Sequence, residues 1–190
     1  VVNMGDINGD GVVDIAVHAM MDDDGATDAG AVYLLFLMPN GTVKQTQKIS
    51  ATQGGFKGKI NAGDSFGVSI VNLGDIDGDG INDMFAGAPH LGANFIKDTT
   101  QIAEGYFLYL NNNGTVKDFL QISTQFPEWN SSIEKGDYFG VSASCFSGYN
   151  AANKKELIIG ASLDNDGFAN AGAVYILDLD VKHKPTAMAG

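Results

Sequence analysis

A repeat of about seventy residues is the feature of this sequence that most restricts how the chain can fold. The segment Gly5–Gly11 returns as Gly74–Gly80 about 69 positions later. Two further segments return about 73 positions later, Asn40–Lys44 as Asn113–Lys117 and Asp64–Ser69 as Asp137–Ser142. Repeats of this length build architectures in which each copy buries its apolar surface against its neighbours.

Each copy has the pattern of four short strands joined by loops. In the complete middle copy, the sequence predicts strands at Phe66–Leu73, Met84–Ala88, Gly105–Leu110 and Val116–Ile122. Asn113-Gly114 lies between the last two strands, and Asn-Gly between apolar runs is a strong hairpin signal. The pattern predicts an all-β fold of four-stranded antiparallel β-propeller blades.

The phase of the repeat divides the chain into about two and a half to three blades. They cover approximately residues 1–50, with an incomplete start, residues 64–123, and residues 137–180, with an incomplete end after a third strand. Propellers typically have four to eight blades. We therefore expect either a piece of a larger propeller or repeat array, or copies that associate through open edges.

The repeated acidic loop has the ligand types and spacing of a calcium site. Asp75, Asp77, Asp79 and Asp83 occupy loop positions 1, 3, 5 and 9, and the Ile81 carbonyl can add an oxygen at position 7. The corresponding ligands in the first copy are Asp6, Asn8, Asp10, Asp14 and the Val12 carbonyl. The sequence predicts two Ca²⁺ sites, of which the second binds more tightly because it has one more carboxylate.

Two further observations define the kind of site. Position 12 is Val17 or Ala86, in a strand-like run, so the loop is not a helical EF-hand and must join two strands. The third copy has Gly148, Asn150, Ala152 and Glu156 at the aligned positions, and no calcium is predicted there. Because the blade pattern continues without these ligands, the metal is expected to stiffen a loop rather than to catalyse a reaction.

Flanking motifs resemble the FG-GAP repeat of integrin α-subunit propellers and related extracellular proteins. They are Phe66-Gly67 before the second acidic loop and Ala86–Pro89 after it, with Phe139-Gly140 and Gly160–Ser162 in the third copy and the degenerate Val17–Ala19 in the first. The resemblance implies a propeller, usually seven-bladed, with calcium in strand-connecting loops. It also implies an extracellular or cell-surface location and a role in adhesion or ligand recognition.

Composition excludes several partners. Asp and Glu number 23 against 11 Lys and Arg, giving a formal net charge of -12 at pH 7, and such a chain repels nucleic acid. The longest apolar run, 31–38, is much shorter than the roughly 18 residues of a membrane span, so no membrane insertion is expected. Cys145 is the only cysteine, so no internal disulfide can form.

Other polar features have simpler interpretations. Asp22–Asp24 and Asp164–Asp166 are interpreted as solvated turns, with a second ion site or a ligand-contacting rim as the alternative. Asp64 and Asp137 are predicted to cap backbone amides. The three histidines, His18, His90 and His183, have no triad or metal-ligand spacing, and we predict no catalytic residue in the segment. Trp129 either covers a gap between blades or contacts a sugar or partner.

Three segments fit the N-glycosylation pattern, with Asn40, Asn113 and Asn130 as the candidate acceptors. The leading functional hypothesis is a non-catalytic extracellular calcium-binding β-propeller module that recognises a protein or glycan ligand. One alternative is a structural repeat unit of an extracellular filament or matrix, whose partners would be neighbouring copies or blades. The other is the scaffold part of a propeller-type enzyme acting on polysaccharides.

Overall fold

The computed structural model describes residues 1–93, 101–122, 133–147, 155–179 and 186–187. These residues form β-strands and contain no α-helix, and none of their segments is a helix that could cross a membrane. The strands are β1 (Val2–Gly5), β2 (Asp14–Ala19), β3 (Ala31–Leu37), β4 (Val43–Ile49), β5 (Ile70–Gly74), β6 (Asp83–Ala88), β7 (Glu104–Leu110), β8 (Val116–Ile122), β9 (Phe139–Ser147), β10 (Lys155–Ala161), β11 (Ala173–Leu179) and β12 (Thr186–Ala187).

The strands form three four-stranded antiparallel sheets, which we call blades 1, 2 and 3. Blade 1 contains β1 to β4, blade 2 β5 to β8 and blade 3 β9 to β12, each in sequence order. Asn-Gly turns close the last hairpins of blades 1 and 2, where Gly41 and Gly114 have φ of 80° and 78°. The predicted all-β fold of four-stranded antiparallel propeller blades is confirmed.

The blades pack face to face. Apolar side chains of blades 1 and 2 form one core, which includes Met4, Val32, Phe36, Met84 and Leu108. Blades 2 and 3 form a second core, which includes Leu73, Phe85, Phe107, Phe139 and Leu157. Because blade 2 is covered on both faces, all six residues of β6 are buried.

The first strands of neighbouring blades contact each other. β1 contacts β5, and β5 contacts β9. Residues from all three blades, among them Val2, Ile70 and Ala143, line one cavity of about 320 Å³. This radial arrangement is that of propeller blades around a central channel.

The Phe66-Gly67 segment of blade 2 is docked on blade 1 instead of beginning a strand. The amide of Phe66 donates to the Ala29 carbonyl at 2.8 Å, and Ser65 and Gly67 have φ of 54° and 86°. Positive φ at two nearby residues is incompatible with an extended strand. The prediction of a strand from Phe66 is therefore wrong at its start, since β5 begins at Ile70.

Blade 3 has a fourth strand that the sequence did not predict. Thr186 and Ala187 form β12 and pair with Asp178 and Leu177 of β11. The prediction that the third copy ends after its third strand is therefore wrong. The strand is two residues long, and no Asn-Gly signal precedes it as it does in the other two hairpins.

Because the strands of each blade are antiparallel and in sequence order, successive loops lie at alternate ends of the blade. The acidic loop between the first and second strands lies at the same end as the hairpin between the third and fourth. The loop between the second and third strands lies at the opposite end. We call the end with the acidic loop and the last hairpin the hairpin end, and the opposite end the rim end. The positions of the candidate sites are described relative to these two ends.

Candidate metal sites

The acidic loop of blade 2 folds around the side chain of its first residue. The Asp75 carboxylate accepts hydrogen bonds from the amides of Gly78 at 2.7 Å, Asp79 at 3.0 Å and Gly80 at 2.7 Å. Gly78 and Gly80 have φ of 85° and 90°, a conformation that favours glycine. The two glycines therefore allow the chain to turn tightly around one carboxylate.

Asp83 closes the loop from the first position of β6. Its carboxylate is fully buried and accepts hydrogen bonds from the amides of Ile76 and Leu110, both at 3.0 Å. Burial is the largest influence on this group and raises its pKa to about 6. Asp83 thus joins the acidic loop to the end of β7.

Carboxylate oxygens converge in this loop. Asp75, Asp77 and Asp83 each bring a carboxylate oxygen within 4.8 Å of the others, and they are the only such trio of His, Cys, Asp or Glu among the described residues. Oxygens on opposite sides of a calcium ion, at about 2.3–2.6 Å from it, lie about 5 Å apart. The spacing of the three side chains therefore fits Ca²⁺. Asp79, a predicted ligand, lies outside the trio.

The loop of blade 1 repeats this geometry with one different ligand type. The Asp6 carboxylate accepts hydrogen bonds from the amides of Asp10 at 3.0 Å and Gly11 at 2.8 Å. The buried Asp14 carboxylate accepts hydrogen bonds from the amides of Ile7 at 3.0 Å and Leu37 at 3.1 Å. Asn8 stands at the position of Asp77. The loop therefore offers two carboxylates and one amide where blade 2 offers three carboxylates.

A lysine from the adjacent hairpin reaches each acidic loop. The Lys44 ammonium lies 2.7 Å from the Asp10 carboxylate, and the Lys117 ammonium lies 2.7 Å from Asp77 and also contacts Asp79. The hydrogen bond from Lys117 is the largest influence on Asp79 and lowers its pKa. Neither lysine contact was predicted from the sequence, although Lys44 and Lys117 stand at the same position of the repeated Asn-Gly-Thr-Val-Lys segment.

In blade 3, part of the aligned loop is described. Glu156 stands at the position of Asp83, on the second residue of β10, and is 6% exposed. The other aligned positions, Gly148, Asn150 and Ala152, lie outside the described residues. The expectation of no calcium in this copy stays a prediction, as does the ligand role of each residue in the first two loops.

Comparison with known proteins relates the first acidic loop to a family. Residues 2–35, which include β1, the first acidic loop and β2, match the FG-GAP repeat family. Integrin alpha-PS5 of Drosophila melanogaster is 36% identical to the chain over 88 residues. The chain carries an FG-GAP repeat and is similar to integrin alpha proteins. The family match falls on the copy whose flanking motif, Val17–Ala19, is degenerate.

Other Drosophila melanogaster relatives extend the similarity along the chain. Integrin alpha-PS2 is 34% identical over 92 residues, and integrin alpha-PS3 is 27% identical over 175 residues, or 90% of the chain. The alignments with alpha-PS5 and alpha-PS2 each cover 46% of the chain. The chain spans only 8%, 6% and 13% of the lengths of alpha-PS5, alpha-PS2 and alpha-PS3.

At the rim end of blade 1, the Asp22–Asp24 turn makes several side-chain contacts and is not simply a solvated turn. Asp22 accepts hydrogen bonds from the Tyr33 hydroxyl at 3.0 Å and the Lys48 ammonium at 2.8 Å. Asp24 accepts from Lys48, Ser50, Thr52 and Gln53, and these bonds lower its pKa, that from Thr52 most. The turn is therefore fixed to the end of β4.

The predicted capping roles of two aspartates are confirmed. Asp64 accepts from the Asn61 amide and Asp137 from the Glu134 amide, both at 2.5 Å. Asp64 also bonds the buried His90 ring at 2.7 Å, a contact that the sequence did not reveal because 26 positions separate the two residues. His90 thus has a structural contact within blade 2.

Two of the three glycosylation candidates lie at described hairpin tips. The Asn40 side-chain oxygen accepts from the Thr42 hydroxyl and Asn113 from the Thr115 hydroxyl, both at 2.7 Å. Asn40 and Asn113 are exposed at the hairpin end. Asn130, together with Trp129 and His183, lies outside the described residues.

Proposed function

We propose that the chain is a non-catalytic, calcium-binding module of an extracellular adhesion-type β-propeller, located at the cell surface or in the extracellular space. The observation that carries this proposal is the convergence of Asp75, Asp77 and Asp83 in a loop of an integrin α-like FG-GAP chain. The relatives are named as integrin α-subunits, which supports a protein ligand or a partner subunit as the binding partner.

Two calcium sites are part of the proposal. Asp75, Asp77 and Asp83 would hold the ion in blade 2, with Asp79 and the Ile81 carbonyl as additional ligands. Asp6, Asn8, Asp10, Asp14 and the Val12 carbonyl would form the site in blade 1. A bound ion would neutralise carboxylates that are otherwise close together, and so brace the connection between the first two strands of each blade.

Recognition belongs to the rim end. The loops between the second and third strands lie opposite the acidic loops. They are residues 20–30 in blade 1 and, in the described part of blade 2, residues 89–93 and 101–103. Lys48 and its acceptors hold the Asp22–Asp24 turn in place, which makes it a rigid presentation surface. Calcium would stabilise one end of blades 1 and 2 while the opposite end contacts the ligand.

A neighbouring blade or copy is a second proposed partner. Val32 and Leu34 of β3 are fully buried under blade 2, whereas Val174 and Ile176 at the equivalent positions of β11 are 65% and 41% exposed. The equivalent face of blade 1 is covered by the Phe66-Gly67 segment of blade 2. A further FG-GAP repeat therefore fits this face, in a propeller or in a longer array.

Calcium is expected to raise the melting temperature. For a Kd near 0.1 mM and calcium near 1 mM, each occupied site adds about 1.4 kcal/mol to the free energy of unfolding. Calorimetric titration measures the Kd for calcium, and melting in calcium or in chelator measures the change in stability. Asp77→Ala should remove the contribution of the second site, whereas Asp118→Asn, an exposed change in β8, should not. The absence of calcium uptake by the unmodified chain would contradict the proposal.

Ligand binding is expected to depend on the rim end. In a panel of purified extracellular matrix proteins, a saturable partner should lose binding when residues 23–27 and 91–103 are replaced by Gly-Ser segments of equal length. The matched control replaces residues 38–42 and 111–115 at the hairpin end, and surface plasmon resonance measures both. Binding that survives the first replacement but not the second would move the recognition site to the hairpin end.

A further inference from the structure

We propose that Lys117 is a built-in competitor of calcium at the acidic loop of blade 2, an inference that rests on the calcium site proposed above. The Lys117 ammonium lies 2.7 Å from Oδ2 of Asp77 and also contacts the Asp79 carboxylate. Asp77 belongs to the converging trio, so one carboxylate serves both the lysine and the candidate metal position. Calcium can gain this carboxylate fully only when the ammonium leaves it.

The lysine is held in this position by the same residue that closes the trio. Buried Asp83 accepts a hydrogen bond from the Leu110 amide, and Leu110 is paired with Val116 across the hairpin. Val116 immediately precedes Lys117 at the start of β8. The stem of Lys117 is thus fixed relative to the acidic loop, while one quarter of its side chain remains exposed. Exposure gives the displaced ammonium a short path to solvent.

Blade 1 provides an internal comparison. Lys44 contacts Asp10 but makes no ion pair at Asn8, the position that corresponds to Asp77, so it does not engage the corresponding trio. A lysine therefore accompanies both acidic loops, but of the two only Lys117 contacts a carboxylate at the Asp77 position.

Two consequences follow for the loop. Without calcium, the ammonium offsets the repulsion between Asp77 and Asp79 and keeps the loop folded. With calcium, the lost ion pairs weaken binding, and each exposed pair shifts an equilibrium by a factor of about 1 to 5. Lys117 would therefore set the second site to respond at a higher calcium concentration than its carboxylates alone would give.

Lys117→Met tests the inference, because methionine keeps much of the length of the stem and removes the charge. Calorimetric calcium titrations are made on the full chain in an Asp6→Asn background, which weakens the first site, with Lys117→Arg as the charge-retaining control. Lys117→Met should bind calcium about 3- to 10-fold more tightly than the parent chain, and Lys117→Arg should bind as the parent does. In chelator, Lys117→Met should melt at a lower temperature.

The outcomes separate this inference from the proposed function. Tighter binding by Lys117→Met alone supports the competition. Equal or weaker binding by Lys117→Met, with calcium uptake by the parent, overturns it and leaves the calcium site intact. No uptake by any of the variants or by the unmodified chain overturns the calcium site and the inference together. If Lys117→Met does not fold, Lys117→Gln takes its place under the same criteria.

Discussion

Gly30→Ala is expected to lower the free energy of unfolding by about 3 kcal/mol or more. Gly30 has a φ of 88°, and a Cβ atom there would lie 2.3 Å from the Phe66 amide nitrogen and 2.5 Å from the Phe66 carbonyl oxygen. Both atoms are backbone of the segment that docks blade 2 on blade 1, so a rotamer change cannot relieve the clash. Urea unfolding followed by circular dichroism measures the effect.

Gly41→Ala is the matched control for this prediction. Gly41 has a φ of 80°, and its Cβ would have no neighbour within 4 Å. The control therefore carries the cost of left-handed backbone alone, about 1–2 kcal/mol. Equal destabilisation by the two substitutions would mean that the close approach of the blades at Gly30 contributes nothing.

The contrast between Phe66 and Gly30 shows how far the sequence determines the fold. The Phe66-Gly67 motif recurs and could be recognised, and the strand pattern predicted the four strands of the complete middle copy. The motif packs against Gly30 of the preceding blade. No local sequence pattern connects Gly30 with Phe66. The positive φ of Ser65 was equally hidden, because a serine has no sequence signal for a left-handed conformation.

Part of the candidate site could be predicted from the sequence and part could not. The acidic loops could be predicted because their ligands lie within nine consecutive residues that also contain glycines at fixed positions. Lys117 and Lys44 could not, since they are 38 and 34 positions from Asp79 and Asp10. The register of the antiparallel strands decides which hairpin residue reaches the loop, and register depends on pairing across the whole blade. The contacts of Lys48 with the Asp22–Asp24 turn were hidden for the same reason.

Asp83→Ala is expected to cost about 3 kcal/mol of unfolding free energy in 1 mM calcium. The substitution leaves the amides of Ile76 and Leu110 without their acceptor, and an unpaired buried donor costs about 1–3 kcal/mol. It also removes one carboxylate of the proposed metal trio. Asp118→Ala is the control, because Asp118 is exposed and is neither a member of the trio nor a proposed ligand. Equal losses from the two substitutions would contradict the structural role of Asp83.

Because of the Asp83 carboxylate, we expect the stability of the chain in chelator to depend on pH. Burial raises the pKa of Asp83 from its ordinary value of 3.8 to about 6, so between these values the folded chain holds a proton that the unfolded chain releases. This contribution to stability is complete below about pH 4 and is lost as the pH rises through 6. Calcium favours the ionised carboxylate and should therefore oppose the loss. Melting temperatures from pH 4 to pH 7 should fall more steeply for the unmodified chain than for Asp83→Asn, because only the unmodified chain carries this titrating group. Identical slopes would show that Asp83 has the same proton affinity in the folded and unfolded chains. Burial of the ionised Asp83 carboxylate would then carry no electrostatic cost, and a bound cation would have none to offset.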